Sequence, residues 1–237
     1  MMKFLFKNEI IDYDFLNIQK EKTILFLHGW GGNKFSFSQT INLTKNHFNI
    51  LSITMPTTQP TTSVWNLFDY VNLIENLLTL LNIKEVIIVC HSFGFRVAML
   101  LNKKIKIEKI IITGGAGIKK ENIFLKITKN NNKIILKNKN FQYLFKKIAS
   151  SDYLSLSNTN KKTFKNIVNL NLTFATKFKC PMLLFWGSKD TATKLWIAKL
   201  LKRQNKAKLI TAKSNHFAYI HKSSKFNHSV LNFIKST

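Results

Sequence analysis

Six short apolar runs constrain this chain more than any other feature. They are Thr23–Leu27, Phe48–Met55, Glu85–Val89, Lys109–Thr113, Met182–Trp186 and Lys208–Ala212. The runs are unbroken rather than alternating, as strands are when a parallel sheet is covered on both faces. Between them lie helical patterns at Val64–Leu81, Phe95–Asn102, Leu195–Lys202 and Ser229–Lys235. The first of these reads with Trp65, Phe68, Val71, Leu78 and Leu81 on its apolar side, and with Thr62 or Ser63 as its cap. Lys3–Phe6 and Ile10–Phe15 read as a hairpin turning at Lys7-Asn8. Strands alternating with helices imply an α/β fold, a mostly parallel sheet flanked by helices. Ligands of such sheets gather beyond the carboxyl ends of the strands.

The unusual residues of the chain fall at those ends. Val86–Val89 runs into Cys90-His91-Ser92-Phe93-Gly94, where a serine sits between a strand and a helix. A serine on so sharp a turn is lifted clear of the backbone, with a helix N-terminus behind it. The small Gly94 suits the close passage of strand and helix, whereas Cys90 is larger than the usual glycine. A serine hydroxyl is a weak nucleophile and needs a base, which in turn needs an orienting acid. Asp190 follows Met182–Trp186 and His216 follows Lys208–Ala212, so both lie at the same sheet edge as Ser92. A further glycine-rich turn, His28-Gly29-Trp30-Gly31-Gly32, follows Thr23–Leu27.

Together these four stretches resemble the α/β-hydrolase superfamily over nearly the whole chain. The resemblance implies a three-layer α/β-hydrolase fold with a helical cap insertion. It implies a serine hydrolase in which Ser92 is the nucleophile, His216 the base and Asp190 the acid. It further implies that the backbone N–H groups of Trp30 and Phe93 form the oxyanion hole. His28, Gly29, His91 and Phe217 are expected to border the substrate pocket, with Phe124, Phe141 and Tyr143 as further apolar candidates. The chain departs from the family pattern at Cys90, at Asn215 before the histidine, and at Thr57-Thr58 after Pro56. The His-Gly-Trp-Gly loop is also similar to that of the pimeloyl-acyl-carrier-protein methyl esterases. That likeness implies an acidic acyl carrier protein as partner beside a small-molecule ester substrate.

Residues 118–179 interrupt the strand–helix alternation and are rich in Lys and Asn, with weaker helical patterns at 123–127, 141–149 and 163–168. They read as the cap, and residues 1–117 and 180–237 as the core. Asp152 is assigned to this cap. His47, His221 and His228 have surface contexts, and Cys90 reads as core.

The chain of 237 residues carries 37 Lys and Arg against 11 acids, a net +26. Such a field attracts nucleic acid, anionic membrane or an acidic partner. All but two of the cations are lysine, however, and lysine travels here with abundant Asn and Ile. That pattern suggests an AT-rich coding background more than a nucleic-acid reader, which would favour arginine. No specific nucleic-acid partner is expected. The alternative class is a non-catalytic hydrolase-fold scaffold that binds a polyanion. Two cysteines are too few for a disulfide framework, and no apolar window approaches a spanning helix or a secretory leader. The expectation is a cytoplasmic protein with neither cofactor nor metal.

Overall fold

The computed structural model describes residues 2–119 and 156–236. The expected cap helices at 123–127 and 141–149, with Phe124, Phe141, Tyr143 and Asp152, lie outside the described residues. Eight strands form one sheet: β1 (Met2–Phe6), β2 (Glu9–Leu16), β3 (Thr23–Leu27), β4 (Asn49–Ile53), β5 (Glu85–His91), β6 (Lys106–Thr113), β7 (Met182–Gly187) and β8 (Lys208–Ala212). Their spatial order is β1-β2-β4-β3-β5-β6-β7-β8. β1 and β2 run antiparallel to their neighbours, and β4 through β8 are paired in parallel. Lys7 and Asn8 turn the β1–β2 hairpin with φ of 50° and 62°, the positive pair that suits the right-handed twist of two adjoining strands.

The described residues also form seven α-helices, α1 (Ser38–Thr44), α2 (Leu67–Leu80), α3 (Phe93–Leu101), α4 (Asn158–Asn169), α5 (Leu195–Asn205), α6 (Ala218–His221) and α7 (Ser223–Lys235), and a short 3-10 turn at Thr173–Ala175. One face of the sheet packs on apolar residues of α2, α3 and α5. The opposite face packs on Phe37 beside α1 and on residues of α6 and α7. Every residue of β3 and β7 is buried, because both of their faces are covered. The three-layer expectation therefore holds.

Several boundaries differ from the sequence expectation for physical reasons. α2 begins at Leu67, and Asn66 caps it rather than Thr62 or Ser63. The Asn66 side chain accepts the N–H groups of Phe68 and Asp69, while the Asp69 carboxylate accepts the Asn66 N–H, a reciprocal capping box. Leu67, Tyr70, Val71, Ile74 and Leu77 then face the core, and Phe68, one position off that stripe, is 60% exposed. β5 and β6 are longer than expected, α3 begins at Phe93 rather than Phe95, and α5 runs on to Asn205. α1 carries too few apolar residues to have been visible as a pattern. The terminal helix begins six residues earlier than expected, at Ser223, with the short α6 ahead of it.

Candidate active site

The strand-to-helix turn holds Ser92 at φ 47° and ψ −105°, a conformation that a residue with a side chain adopts only under constraint from its surroundings. The constraint is visible. Ser92 N–H donates to Thr113 O, and Ser92 O accepts from the N–H groups of Phe95 and Ala116. A Cβ on Gly94 would lie 2.2 Å from Leu27 O, so α3 passes β3 too closely for any other residue. Cys90, by contrast, fits: it is fully buried, its Sγ lies 3.6 Å from Ile111 O, and burial pushes its thiol pKa up.

Asp190 and His216 come together beside this turn. His216 Nδ1 lies 2.9 Å from Asp190 Oδ2, and the Asp190 side chain is fully buried. The carboxylate accepts further bonds from the N–H groups of Ala192 and Thr193, at 2.9 and 2.8 Å, and from the Thr193 hydroxyl at 2.8 Å. Thr193 Oγ1 also stands 3.2 Å from His216 Nδ1. An Nδ1–H directed at a carboxylate leaves Nε2 as the basic nitrogen. A Cβ on Gly114, which has φ +55°, would sit 3.0 Å from both Cε1 and Nδ1 of His216. The glycine therefore makes room for the ring. Asn215 takes the place where the family favours glycine, and its side chain accepts the Phe217 N–H at 3.0 Å. The close approach is made possible from the other side, where a Cβ on Gly187 would be 2.1 Å from Asn215 O. The Ser92 hydroxyl makes no hydrogen bond with any described residue.

The glycine-rich turn after β3 lies across from this pair. A Cβ on Gly29 would be 3.5 Å from Ser92 Cβ, so the turn is immediately adjacent to the serine. The backbone N–H groups of Trp30 and Phe93 donate to no described residue. The two rings meet edge-on at 5.6 Å. The neighbouring Gly31, at φ 77°, donates its N–H to Thr57 Oγ1 at 3.2 Å. Thr57, a departure from the family pattern, thus anchors the turn.

His28 is buried, and both of its ring nitrogens are committed to the main chain. Nε2 accepts the Met55 N–H at 2.8 Å, and Nδ1 meets Gly29 O at 2.6 Å. Burial lowers its pKa to about 4. His28 therefore ties the turn to the end of β4 and offers no polar atom to a pocket. His91 is likewise buried, with Nδ1 on Thr113 O at 2.9 Å and its ring 4.7 Å from that of His216. Burial, and then the nearby His216, hold its pKa well below the usual histidine range. Phe217 is half-exposed beside both rings, 5.5 Å from each. His47, His221 and His228 are exposed, as expected.

α4 packs over the glycine-rich turn. Phe164 meets Trp30 at 4.8 Å, and the Thr163 hydroxyl accepts the Trp65 N–H at 2.9 Å. The buried Asn160 amide donates to Thr57 O and Gln59 O, and its oxygen accepts from the Thr61 hydroxyl. Arg96, one turn after Ser92, donates to the carbonyls of Ile167, Val168 and Leu170 at the end of α4. Burial lowers the Arg96 pKa to about 10. Sequence reasoning missed Thr193, Gly114, Asn160 and Arg96 as parts of this site, and marked Thr57 only as a departure from the family pattern. Only Thr193 had a local signal, a hydroxyl three residues after an Asp.

Among the described residues, no group of three or more His, Cys, Asp or Glu is placed to hold a metal ion. No helix among them is long and apolar enough to cross a membrane.

No family model matches the chain, and no curated protein matches it. Solved structures do. A hydrolase from Pseudomonas aeruginosa PA01 is similar with a TM-score of 0.76 at 14% identity, over 99% of this chain and 98% of its own. The enol-lactonase from Burkholderia xenovorans LB400 is similar with a TM-score of 0.76 at 13% identity, over 99% of this chain and 100% of its own. An esterase from Exiguobacterium antarcticum is similar with a TM-score of 0.74 at 14% identity, over 99% of each chain. Likeness at these identities speaks to architecture. With its sheet order, its flanking helices and its end-to-end similarity to those three enzymes, the chain has the α/β-hydrolase fold.

Proposed function

We propose that this protein is a serine hydrolase that cleaves a carboxylic ester through an acyl-enzyme. The observation that carries the reading is the His216–Asp190 pair, bonded at 2.9 Å within a buried cluster beside a serine at φ 47°. In the proposed cycle, Ser92 Oγ attacks the ester carbonyl carbon while His216 Nε2 takes its proton. Asp190 holds the imidazole in the required tautomer and stabilises the imidazolium. The N–H groups of Trp30 and Phe93 receive the developing oxyanion, each worth roughly 3–4 kcal/mol at such a position. His216 then protonates the departing alkoxide, and the alcohol leaves. Water attacks the acyl-enzyme with His216 again as base, and the acid is released as Ser92 regains its proton.

Phe93, Trp30 and Phe164 form a continuous aromatic wall, which suits an apolar acyl group. We assign residues 118–179 to the cap, since α4 within that range already covers the proposed oxyanion turn. The test is hydrolysis of p-nitrophenyl butyrate together with labelling by a fluorophosphonate probe. Ser92→Ala is expected to abolish both, and a variant as active as the parent would end the proposal.

A further inference from the structure

The two described stretches differ in charge. Residues 2–119 hold thirteen Lys and Arg against eight acids. Five of those acids are ion-paired to lysine: Asp14, Asp69, Glu75, Glu85 and Glu108. Residues 156–236 hold sixteen Lys and Arg against one acid, Asp190, which is buried against His216. A coding bias acts on the whole chain alike and does not strip acids from one part of it. The sheet order also gathers this imbalance in space. β7 and β8 form one end of the sheet, the end that supplies Asp190 and His216.

The rim of the candidate site concentrates the effect. Lys189 N–H donates to Ser214 O at 2.9 Å, the Ser214 hydroxyl meets His221 Nδ1 at 3.3 Å, and Ile220 N–H donates to Phe217 O at 3.0 Å. These bonds draw Lys189, Lys213, Phe217, Ile220 and Lys222 around one loop, with all three lysines exposed. Phe217 is 42% exposed and Ile220 52%. Phe37 packs against Tyr219 at 4.9 Å, and Phe35, two residues before it, is 59% exposed.

Apolar side chains set among ammonium groups match an anionic bilayer surface, where acyl depth takes the first and headgroup phosphates take the second. A nucleic acid would leave the apolar groups without a role and would be read here with a single arginine, Arg203. We propose that this rim docks the protein on an anionic lipid surface, with Phe35, Phe217 and Ile220 entering the headgroup layer and Lys189, Lys213 and Lys222 lying over phosphate. The inference deepens the ester-hydrolase reading, because it places the mouth of that site against a source of acyl esters. The docking itself requires no catalysis.

The test is co-sedimentation of the full chain with vesicles of phosphatidylcholine alone, or of phosphatidylcholine with about a third phosphatidylglycerol, at low and physiological salt. Binding is expected only to the anionic vesicles and should weaken with salt. Lys213→Glu with Lys222→Glu should weaken it by about 30-fold or more, and Ile220→Ser by a few-fold. All three substitutions should leave hydrolysis of a soluble short-chain ester unchanged, which reports an intact fold. Ser92→Ala should bind vesicles as the parent does, so failure of the catalytic reading and failure of the docking are told apart. Equal binding to neutral vesicles would overturn the proposal, and so would absence of binding to either kind. Binding to polyglutamate or RNA without binding to anionic vesicles would overturn it as well.

Discussion

The two sides of the candidate site are built differently. On the acid side, three of the four donors to the Asp190 carboxylate come from Ala192 and Thr193, within three residues of it. On the side of the proposed oxyanion hole, the turn at residues 28–32 is held by Met55, Thr57 and, through Thr57, by Asn160, which lies 103 positions further along the chain. The first side needs little beyond its own loop and the arriving histidine. The second depends on three separate parts of the fold arriving together. Damage to the acid side should therefore appear in chemistry alone, whereas damage to the oxyanion side should also appear in stability and in coupling to α4.

The largest effect is expected on the acid side. Asp190→Asn should lower kcat by about 10³–10⁴-fold, because the imidazole loses its tautomer and its counter-charge. Its melting temperature should stay near the parent's, since the amide retains most of the hydrogen bonds; a matching collapse in stability would erase the contrast.

Acid pH should act first on the other side. Burial depresses the folded-state pKa of His28 to about 4, and that of His91 in the same direction. The unfolded chain binds those protons more readily, near pH 6.5. Stability is thus fully present above about pH 6.5 and falls as pH drops toward about 4, by roughly 3 kcal/mol for His28 alone. Thermal melts between pH 7.5 and 4.5 should show the decline. His28→Gln, which has no titrating proton, should flatten it.

The smallest effect tests the long-range link. Thr57→Val removes the acceptor of the Gly31 N–H at nearly constant shape, and Asn160→Ala frees Thr57 O. Each should lower kcat by about 3- to 10-fold, the worth of one hydrogen bond, with little change in KM for a short ester. Thr57→Ser should restore the parent rate. A change in KM alone would assign these residues to substrate binding instead.

The same contrast explains what could be read from the sequence. That Ser92, Asp190 and His216 share one sheet edge was legible because each follows the carboxyl end of a strand, β5, β7 and β8, and the apolar runs of β5 and β7 announce their own ends. The sheet was legible for the same reason. The α2 start was misplaced because the loop before it is held elsewhere: Thr61 by Asn160, Thr62 by Glu9 and Trp65 by Thr163. The Thr62 hydroxyl that looked like a cap is employed as a tie to Glu9, and the Ser63 hydroxyl is buried without a partner among the described residues. Phe68 seemed to face inward because the apolar stripe was counted from Trp65, which precedes the helix. Thr57, Asn160 and Arg96 make their site contacts with residues 26 to 103 positions away, and no local pattern encodes that.

Arg96 has one consequence for traffic through the site. Its guanidinium is buried and holds three carbonyls at the end of α4 while riding on the same helix that follows Ser92. Lifting α4 away would strand a full positive charge with no counterpart, a far greater penalty than parting an apolar contact. α4 is therefore a fixed wall rather than a swinging door.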